Sequence, residues 1–333
     1  MRHRSVVVGF AGKQGQEYLP ILHRYTDVVG VVDIAPDASR LAGRLGLPFF
    51  DNLEDALACL DFDVALVTVP HQTHFSGCRA LLQHGVHILK EKPFAVTEQD
   101  ARDLVKMADA ADRSVYTLVQ RNFNPAFDFA SRNLHRTGEP YWFAYDYHIN
   151  LAKMTSGWRA DSDKALGGVM LDMGYHLVDI LAGLFASPVS VRAAFLHCYE
   201  EMRRQGLEDL VSVYFSYPYQ GFAGTLCVSR HNHEKVERLT VLGTDGSLEI
   251  SPTEASLYSP GGTRVAGVTV TISKEAMVDR MIARYLRHLD DREYRAKHFA
   301  RQLSTVQVIQ RAYESNEGGP DAHPRPSVLA NAC

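Results

Sequence analysis

Over the first 120 residues, short apolar runs alternate with amphipathic stretches. Val6-Val7-Val8, 28–32, 64–69, 86–89 and 115–119 are nearly continuous apolar runs, as strands buried on both faces require. Between them, helices are predicted from about Gly15 (Tyr18, Leu19, Ile21, Leu22), over 53–60 and 75–84, and over 97–112 with Thr97 as N-cap. Regular strand–helix alternation predicts a doubly wound parallel sheet. After Arg121 the pattern changes. A helix is predicted over 125–136, closed by Gly138, followed by an aromatic strand over 141–149. A second helix follows Gly167-Gly168, with Leu171, Leu177, Val178, Leu181 and Leu184 near helical spacing. Strand-like runs then succeed one another over 189–198, 210–217, 222–230, 237–242, 247–250, 255–258 and 264–272, with a hairpin turn at 243–246. Strands without intervening helices predict a large, mainly antiparallel open sheet in an α+β unit. Alternation at 210–216 predicts one covered face and one fairly apolar open face. Two helices, 274–289 and 294–314, close the pattern before a Gly/Pro-rich tail. The expected division is 1–121, 122–316 and a loose tail over 317–333.

The length of 333 residues suits two domains. A net charge of -4 offers no basic field for nucleic acid and no polybasic membrane patch. No apolar run reads as a membrane span, and the N-terminus moves straight into a strand, which is not read as a signal peptide. Cys59, Cys78, Cys198, Cys227 and Cys333 lack C-x-x-C spacing and are odd in number. Free thiols in a reducing cytoplasm are therefore expected, with no structural zinc site.

In a doubly wound sheet, ligands bind beyond the carboxyl ends of the strands. The residues placed there are Gly9, Ala11, Gly12, Lys13 and Gln14, then Asp33, Pro70, His71, His74, Glu91, Lys92, Gln120 and Arg121. In a strict G-x-G-x-x-G register Ala11 and Gln14 fall on glycine positions, while Gly9, Gly12 and Gly15 fit a three-residue spacing better. Either form frees backbone N–H groups at a helix start for a pyrophosphate; a purely structural turn is the alternative. Asp33 ends the second strand, where a carboxylate accepts from an adenosine ribose and repels a 2′-phosphate. That favours NAD over NADP, although Arg40 keeps NADP open; the competing reading of Asp33 is a helix N-cap. Lys92 stands at a strand end beside this crevice, either as a functional amine or as half of a surface pair with Glu91. His71 and His74 lack the partners of a metal site and are read as hydrogen-bonding groups near the cofactor.

In the second half, Tyr147, Trp158 and Arg159, with Thr155, Ser156 and Asp161 nearby, have the composition of a polyol pocket, or of an aromatic core strand. Asp172, His176 and Asp179 stand at i, i+4 and i+7, so one helix face would carry all three. They form an acid/base device or a satisfied core histidine. His231-Asn232-His233 is read as a loop.

The glycine turn with its strand-end Asp33, then Glu91-Lys92-Pro93, then Gly167-Gly168-x-x-x-Asp172-x-x-x-His176 resembles the Gfo/Idh/MocA oxidoreductases in that order. Residues 80–93, Gln120-Arg121-Asn122-Phe123-Asn124-Pro125 and Trp158-Arg159 are also similar to that family, over nearly the whole chain. The resemblance implies an N-terminal Rossmann domain and NAD(P)-dependent hydride transfer on a sugar, cyclitol or related polyol. It carries Lys92, Asp172 and His176 over as the catalytic group, and Arg121, Tyr147, Trp158 and Arg159 are placed at the substrate beside Asp172 and His176. Separately, the fairly apolar open face of the C-terminal sheet predicts a homo-oligomer, a homodimer or homotetramer, through that sheet. The rival readings are a ketosugar reductase using NAD(P)H and a non-catalytic NAD(P)-binding regulator. A refinement is a sugar 3-dehydrogenase of aminoglycoside biosynthesis, with Asp146, Asp161 and Glu208 receiving an amino-substituted substrate. Gly167-Gly168 would let the helix start approach substrate and nicotinamide.

Overall fold

A computed structural model describes residues 2–151 and 157–316. Thr155, Ser156 and the 317–333 tail lie outside the described residues. The chain forms two compact units: Met1–Phe123 with Ile272–Val306, and Asn124–Thr271 with Gln307–Cys333.

The first unit is built on a six-stranded sheet. Its elements are β1 (Arg4–Val8), α1 (Lys13–Tyr25), β2 (Asp27–Val32), α2 (Ala38–Leu45), β3 (Phe49–Phe50), α3 (Leu53–Cys59), β4 (Val64–Val67), α4 (His74–Gln83), β5 (His87–Glu91), α5 (Glu98–Ala111) and β6 (Val115–Leu118). The sheet order is β3-β2-β1-β4-β5-β6, every pair parallel. The chain winds one way from β1 and then the other, so the β1/β4 boundary is the switch point at which such sheets bind ligands. β4, β5 and β6, four or five residues each, are buried along their whole length. Thr97 caps α5, accepting from Asp100 N–H at 3.1 Å, as expected.

The second unit continues with α6 (Pro125–Asn133), β7 (Pro140–Asn150), α7 (Ser162–Ala165), α8 (Tyr175–Leu184), β8 (Ser190–Leu196), α9 (Glu200–Arg204), β9 (Leu210–Tyr217), β10 (Phe222–Ser229), β11 (His231–Gly243), β12 (Gly246–Ile250), β13 (Glu254–Tyr258) and β14 (Arg264–Thr269). Its eight strands run β14-β13-β12-β11-β7-β10-β9-β8. Only the β7/β10 pair is parallel; the others are antiparallel. One face buries Phe143, Tyr145 and Tyr147 of β7, with Phe143 stacked on Phe185 at 5.4 Å. The opposite face differs from the expectation. It carries Asp146, His148, Thr225, Cys227, Ser212 and Arg238 beside Trp142, Tyr214, Val236 and Leu242, so it is mixed rather than mainly apolar. β11 also begins earlier than expected, taking in His231-Asn232-His233 as strand rather than loop. Its polar start hides the period-2 signal, and a register shift between His231 and Val236 breaks the ladder there.

Two helices follow, α10 (Lys274–Arg287) and α11 (Arg292–Asn316). A second domain running unbroken from 122 to 316 is not what forms. Val278, Met281, Ile282 and Tyr285 of α10 join Phe10, Tyr18, Leu22 and Tyr116 in the core of the first unit. Burying that apolar stripe places 272–306 with the sheet that precedes it by more than 150 residues. The stretch Ser162–Leu184 is apolar enough to span a membrane by length and composition, but 72% of its most apolar window is buried inside the protein, as in a core helix.

Candidate active site

In the first unit the glycine turn sits at the switch point. Gly9 has φ +85, and a Cβ there would lie 2.8 Å from the Thr68 backbone carbon, so both the backbone angle and the space call for glycine. A Cβ on Gly15 would meet Gly9 O and Phe10 Cα at 2.5 Å. Gly12 is looser, with Gly9 O at 3.4 Å as its nearest neighbour. The three-residue spacing is therefore the structural register: Gly9 turns the chain and Gly15 lets α1 press against the turn. Gln16 N–H is bonded to Gly12 O at 3.0 Å. The amides of Lys13, Gln14 and Gly15 precede it and have no acceptor within the helix, the condition for anion binding.

Asp33 is not a helix cap. Its carboxylate accepts from Ala11 N–H and Ala35 N–H, both at 2.8 Å, tying the end of β2 to the glycine turn. This takes Ala11 N–H away from any pyrophosphate, contrary to its expected role. A carboxylate has about four lone-pair directions, so capacity remains for ribose hydroxyls. Arg40 is exposed and bonded to Asp37 at 3.0 Å. The turn, the open helix start and Asp33 together fit a dinucleotide.

The β5 end is organised by its neighbours. Glu91 is engaged within the fold: it accepts from Tyr18 O–H at 2.7 Å and from Lys92 N–H at 3.2 Å. Burial first, and Glu91 second, push the Tyr18 phenol far up. Glu91 is thus a buried anchor to α1, not the cofactor contact expected. Lys92 follows it, 7% exposed, with a cis bond to Pro93. Lys90, at the same strand end, is fully buried and donates to Pro93 O at 2.6 Å and Phe94 O at 2.7 Å. Burial lowers its pKa to about 8. His71 and His74 pack edge to face at 5.8 Å. His74 Nε2–H donates to Val69 O at 2.8 Å, and burial, then Lys90 and His71, keep the ring neutral. Pro70 precedes this pair, and Gln120 and Arg121 open a half-buried 3-10 turn after β6.

In the second unit, the helix after Gly167-Gly168 begins with a π turn, Met170–Gly174, before α8. Such wide turns recur at functional positions. From Val169 to Leu181 every residue is buried except Asp172 and His176, which alone are partly exposed. Asp179 is fully buried and does not share their face to solvent. Asp172 accepts from Arg230 Nη2 at 2.9 Å and, more weakly, from Arg159 Nε at 3.4 Å. Arg159 lies over the Trp158 ring, 4.3 Å from its centroid. Arg230, 3% exposed, was not anticipated as a site residue; its signal was a cation closing an otherwise apolar strand.

The helix start is held by Glu208. Its side chain accepts from Gly168 N–H at 2.9 Å, Met170 N–H at 3.0 Å and Tyr313 O–H at 2.8 Å, while its backbone carbonyl accepts from Val169 N–H at 2.9 Å. Three successive first-turn amides are thereby satisfied by one buried residue. A Cβ on Gly168 would approach Glu208 N at 2.6 Å and Oε2 at 2.7 Å, and one on Gly167 would meet Tyr313 Oη at 2.5 Å. The glycine pair serves this contact and not an approach to substrate. Glu208 is consequently no receptor for an amino group. Asp161 is occupied too, capping α7 and paired with Lys164 at 2.6 Å. Asp146 faces the outer side of the sheet, and Tyr147 the covered side.

Two family profiles cover most of this architecture. The profile described as "Oxidoreductase family, NAD-binding Rossmann fold" matches residues 3–118, and "GFO/IDH/MocA C-terminal domain" matches 135–249. The chain belongs to the Gfo/Idh/MocA oxidoreductases. Among curated members, it is 30% identical over 189 residues to a putative UDP-kanosamine synthase oxidoreductase subunit of Amycolatopsis mediterranei, covering 55% of this chain and 52% of that protein. It is 23% identical over 302 residues to an NADP(+)-dependent D-xylose 1-dehydrogenase of Haloarcula marismortui, covering 86% and 80%. The chain spans about half the length of the first curated relatives it matches, 47% and 52%. Among solved Gfo/Idh/MocA-like folds, an inositol dehydrogenase homolog from Azotobacter vinelandii complexed with NAD+ superimposes with a TM-score of 0.83 at 18% identity, covering 96% of each chain. At that identity the likeness is one of fold.

Proposed function

We propose that this Gfo/Idh/MocA chain is an NAD-dependent dehydrogenase that oxidises a secondary hydroxyl of a sugar, aminosugar or cyclitol. The observation that carries the reading is the isolation of Asp172 and His176 as the two partly exposed positions of an otherwise buried helix, with Arg230 and Arg159 on the carboxylate. When bound, the nicotinamide supplies the acceptor for the carbinol hydrogen and its electron pair. Lys13, Gln14 and Gly15 amides would hold its pyrophosphate, and Asp33 its adenosine ribose.

The chain's own groups handle the proton. As the carbinol carbon loses hydride, the hydroxyl oxygen must lose H+, and His176 is assigned as the acceptor, imidazole being the side chain whose chemistry suits proton transfer near neutral pH. Lys92 donates a hydrogen bond to the reacting oxygen and stabilises charge developing on it. Asp172, held by two guanidiniums, is fixed in direction and orients the substrate hydroxyls. Relatives named as acting on D-xylose with NADP(+), or as a UDP-kanosamine synthase oxidoreductase subunit, support a sugar substrate class. They do not narrow it, and the three carboxylates expected to receive an amino group are engaged or face elsewhere.

The test is a screen of NAD+ reduction across aldoses, inositols and aminosugars with product identification, followed by Lys92→Ala and His176→Ala. Each variant should lower turnover by at least about 100-fold, the scale of lost acid–base catalysis, while NAD+ affinity changes by less than about threefold. Wild-type rates in Lys92→Ala would sink the assignment.

A further inference from the structure

The outer face of the eight-stranded sheet carries a donor set outside the site described above. Asp146 and His148 are two apart on β7, so their side chains leave the same face. Cys227 is the register partner of Asp146 on the parallel neighbour β10. One ligand atom from each, a carboxylate oxygen, an imidazole nitrogen and Sγ, lie within 4.8 Å of one another. We propose that Asp146, His148 and Cys227 form a binding site for a borderline-soft divalent cation of the Zn2+ type.

The chemistry of the set supports that class. Imidazole and thiolate select zinc-like ions over Mg2+ or Ca2+, which take oxygen donors. Three protein ligands leave a fourth tetrahedral position for water or a small anion. The carboxylate and thiolate together balance the two charges of the ion. Among the described residues, none of the three side chains makes a hydrogen bond: His148 Nε2 stands 3.9 Å from Asp146 Oδ1, beyond hydrogen-bonding distance. Their donor atoms are therefore not consumed by other partners. Each side chain is partly buried and stands on a paired strand, so little ordering remains to be done on binding. Arg238 is opposite Asp146 on β11 but is exposed and forms no ion pair with it; Ser212 is opposite Cys227 on β9 and Val236 opposite His148. On binding, the Cys227 S–H bond breaks, its proton goes to solvent and the sulfur lone pair goes to the metal. No oxidation occurs. Replacing the thiol proton by the metal releases one proton, so uptake should strengthen as pH rises.

The test uses the full chain, dialysed against micromolar Zn2+ and assayed for bound metal, then repeated with Co2+ for its thiolate-to-metal absorption. The expected result is one equivalent per chain with a thiolate band. Cys227→Ser should abolish the band, and His148→Ala and Asp146→Asn should each weaken binding on the order of 100-fold, at least what outer ligands cost in known sites. Circular dichroism matching the parent confirms that each variant is folded. No retained metal, or a cobalt spectrum unchanged in Cys227→Ser, overturns the proposal. The readout is metal content, so it stands apart from dehydrogenase activity.

Discussion

Glu208→Gln is the sharpest perturbation of the second unit. The substitution preserves shape and removes the charge. Glu208 Oε1 accepts from Met170 N–H and Tyr313 O–H, and Oε2 from Gly168 N–H. Glutamine can keep two of these on its single oxygen, but its amide NH2 must then face the third donor. A buried donor left unmet costs about 1–3 kcal/mol, and the remaining bonds lose their charge assistance, worth roughly another 1 kcal/mol. The expected loss is about 2–4 kcal/mol in the stability of this unit. The assay is specific because the chain has two tryptophans, Trp142 and Trp158, and both lie in the second unit. Tryptophan fluorescence during urea unfolding therefore follows that unit alone, and a lower midpoint at unchanged slope would report lost stability. A cycle with Tyr313→Phe should show coupling above about 0.5 kcal/mol, since both touch one oxygen. A midpoint shift equivalent to less than about 0.5 kcal/mol would refute the claim that Glu208 holds the helix start, because a solvent-relaxed carboxylate would behave in that way.

Other consequences concern the site more directly. Asp33→Ser should weaken NAD+ about tenfold through lost ribose hydrogen bonds and cut the NAD/NADP preference; binding titrations with both cofactors check this, and an unchanged ratio would leave Asp33 with only its ties to Ala11 and Ala35. Arg230→Met should lower turnover at least about tenfold by releasing Asp172, while Arg230→Lys recovers part of it; steady-state kinetics on the screened substrate would decide, and equal losses in both would point to packing instead. Lys90 has a folded pKa of about 8 against an ordinary value of 10.5. Between those values the unfolded chain holds the extra proton, so the contribution of Lys90 to stability rises from pH 8 to 10.5, by up to roughly 3 kcal/mol. Unfolding of the parent and of Lys90→Met, followed by circular dichroism across that range, should differ in slope with that sign.

The first unit was legible because its signals are local. Strands buried on both faces read as Val-rich runs, and Gly9 and Asp33 stand where backbone geometry demands them. What escaped the sequence depends on partners distant along the chain. α10 has an ordinary amphipathic pattern; nothing in it tells that its apolar stripe completes a core begun at Phe10 and Tyr18. Glu91 and Lys92 adjoin in sequence, yet Tyr18 draws the carboxylate one way, a direction visible only once α1 lies against β5. Gly167-Gly168 was rightly singled out and given the wrong partner, because a glycine pair declares a close approach without saying to what. Glu208 and Tyr313, 40 and 146 residues further on, supply the answer. The same holds for Arg230, and for Asp146, His148 and Cys227: a period-2 strand shows which face a side chain takes, but not which strand lies beside it. The parallel β7/β10 pairing breaks the run of neighbouring hairpins, and it alone brings Cys227 to Asp146. Local pattern thus reached the carboxyl-end crevice, the Asp172–His176 pair and Arg159 beside it, whereas Arg230 and Glu208, which hold the carboxylate and the helix start from inside the fold, are buried side chains brought in from far along the chain.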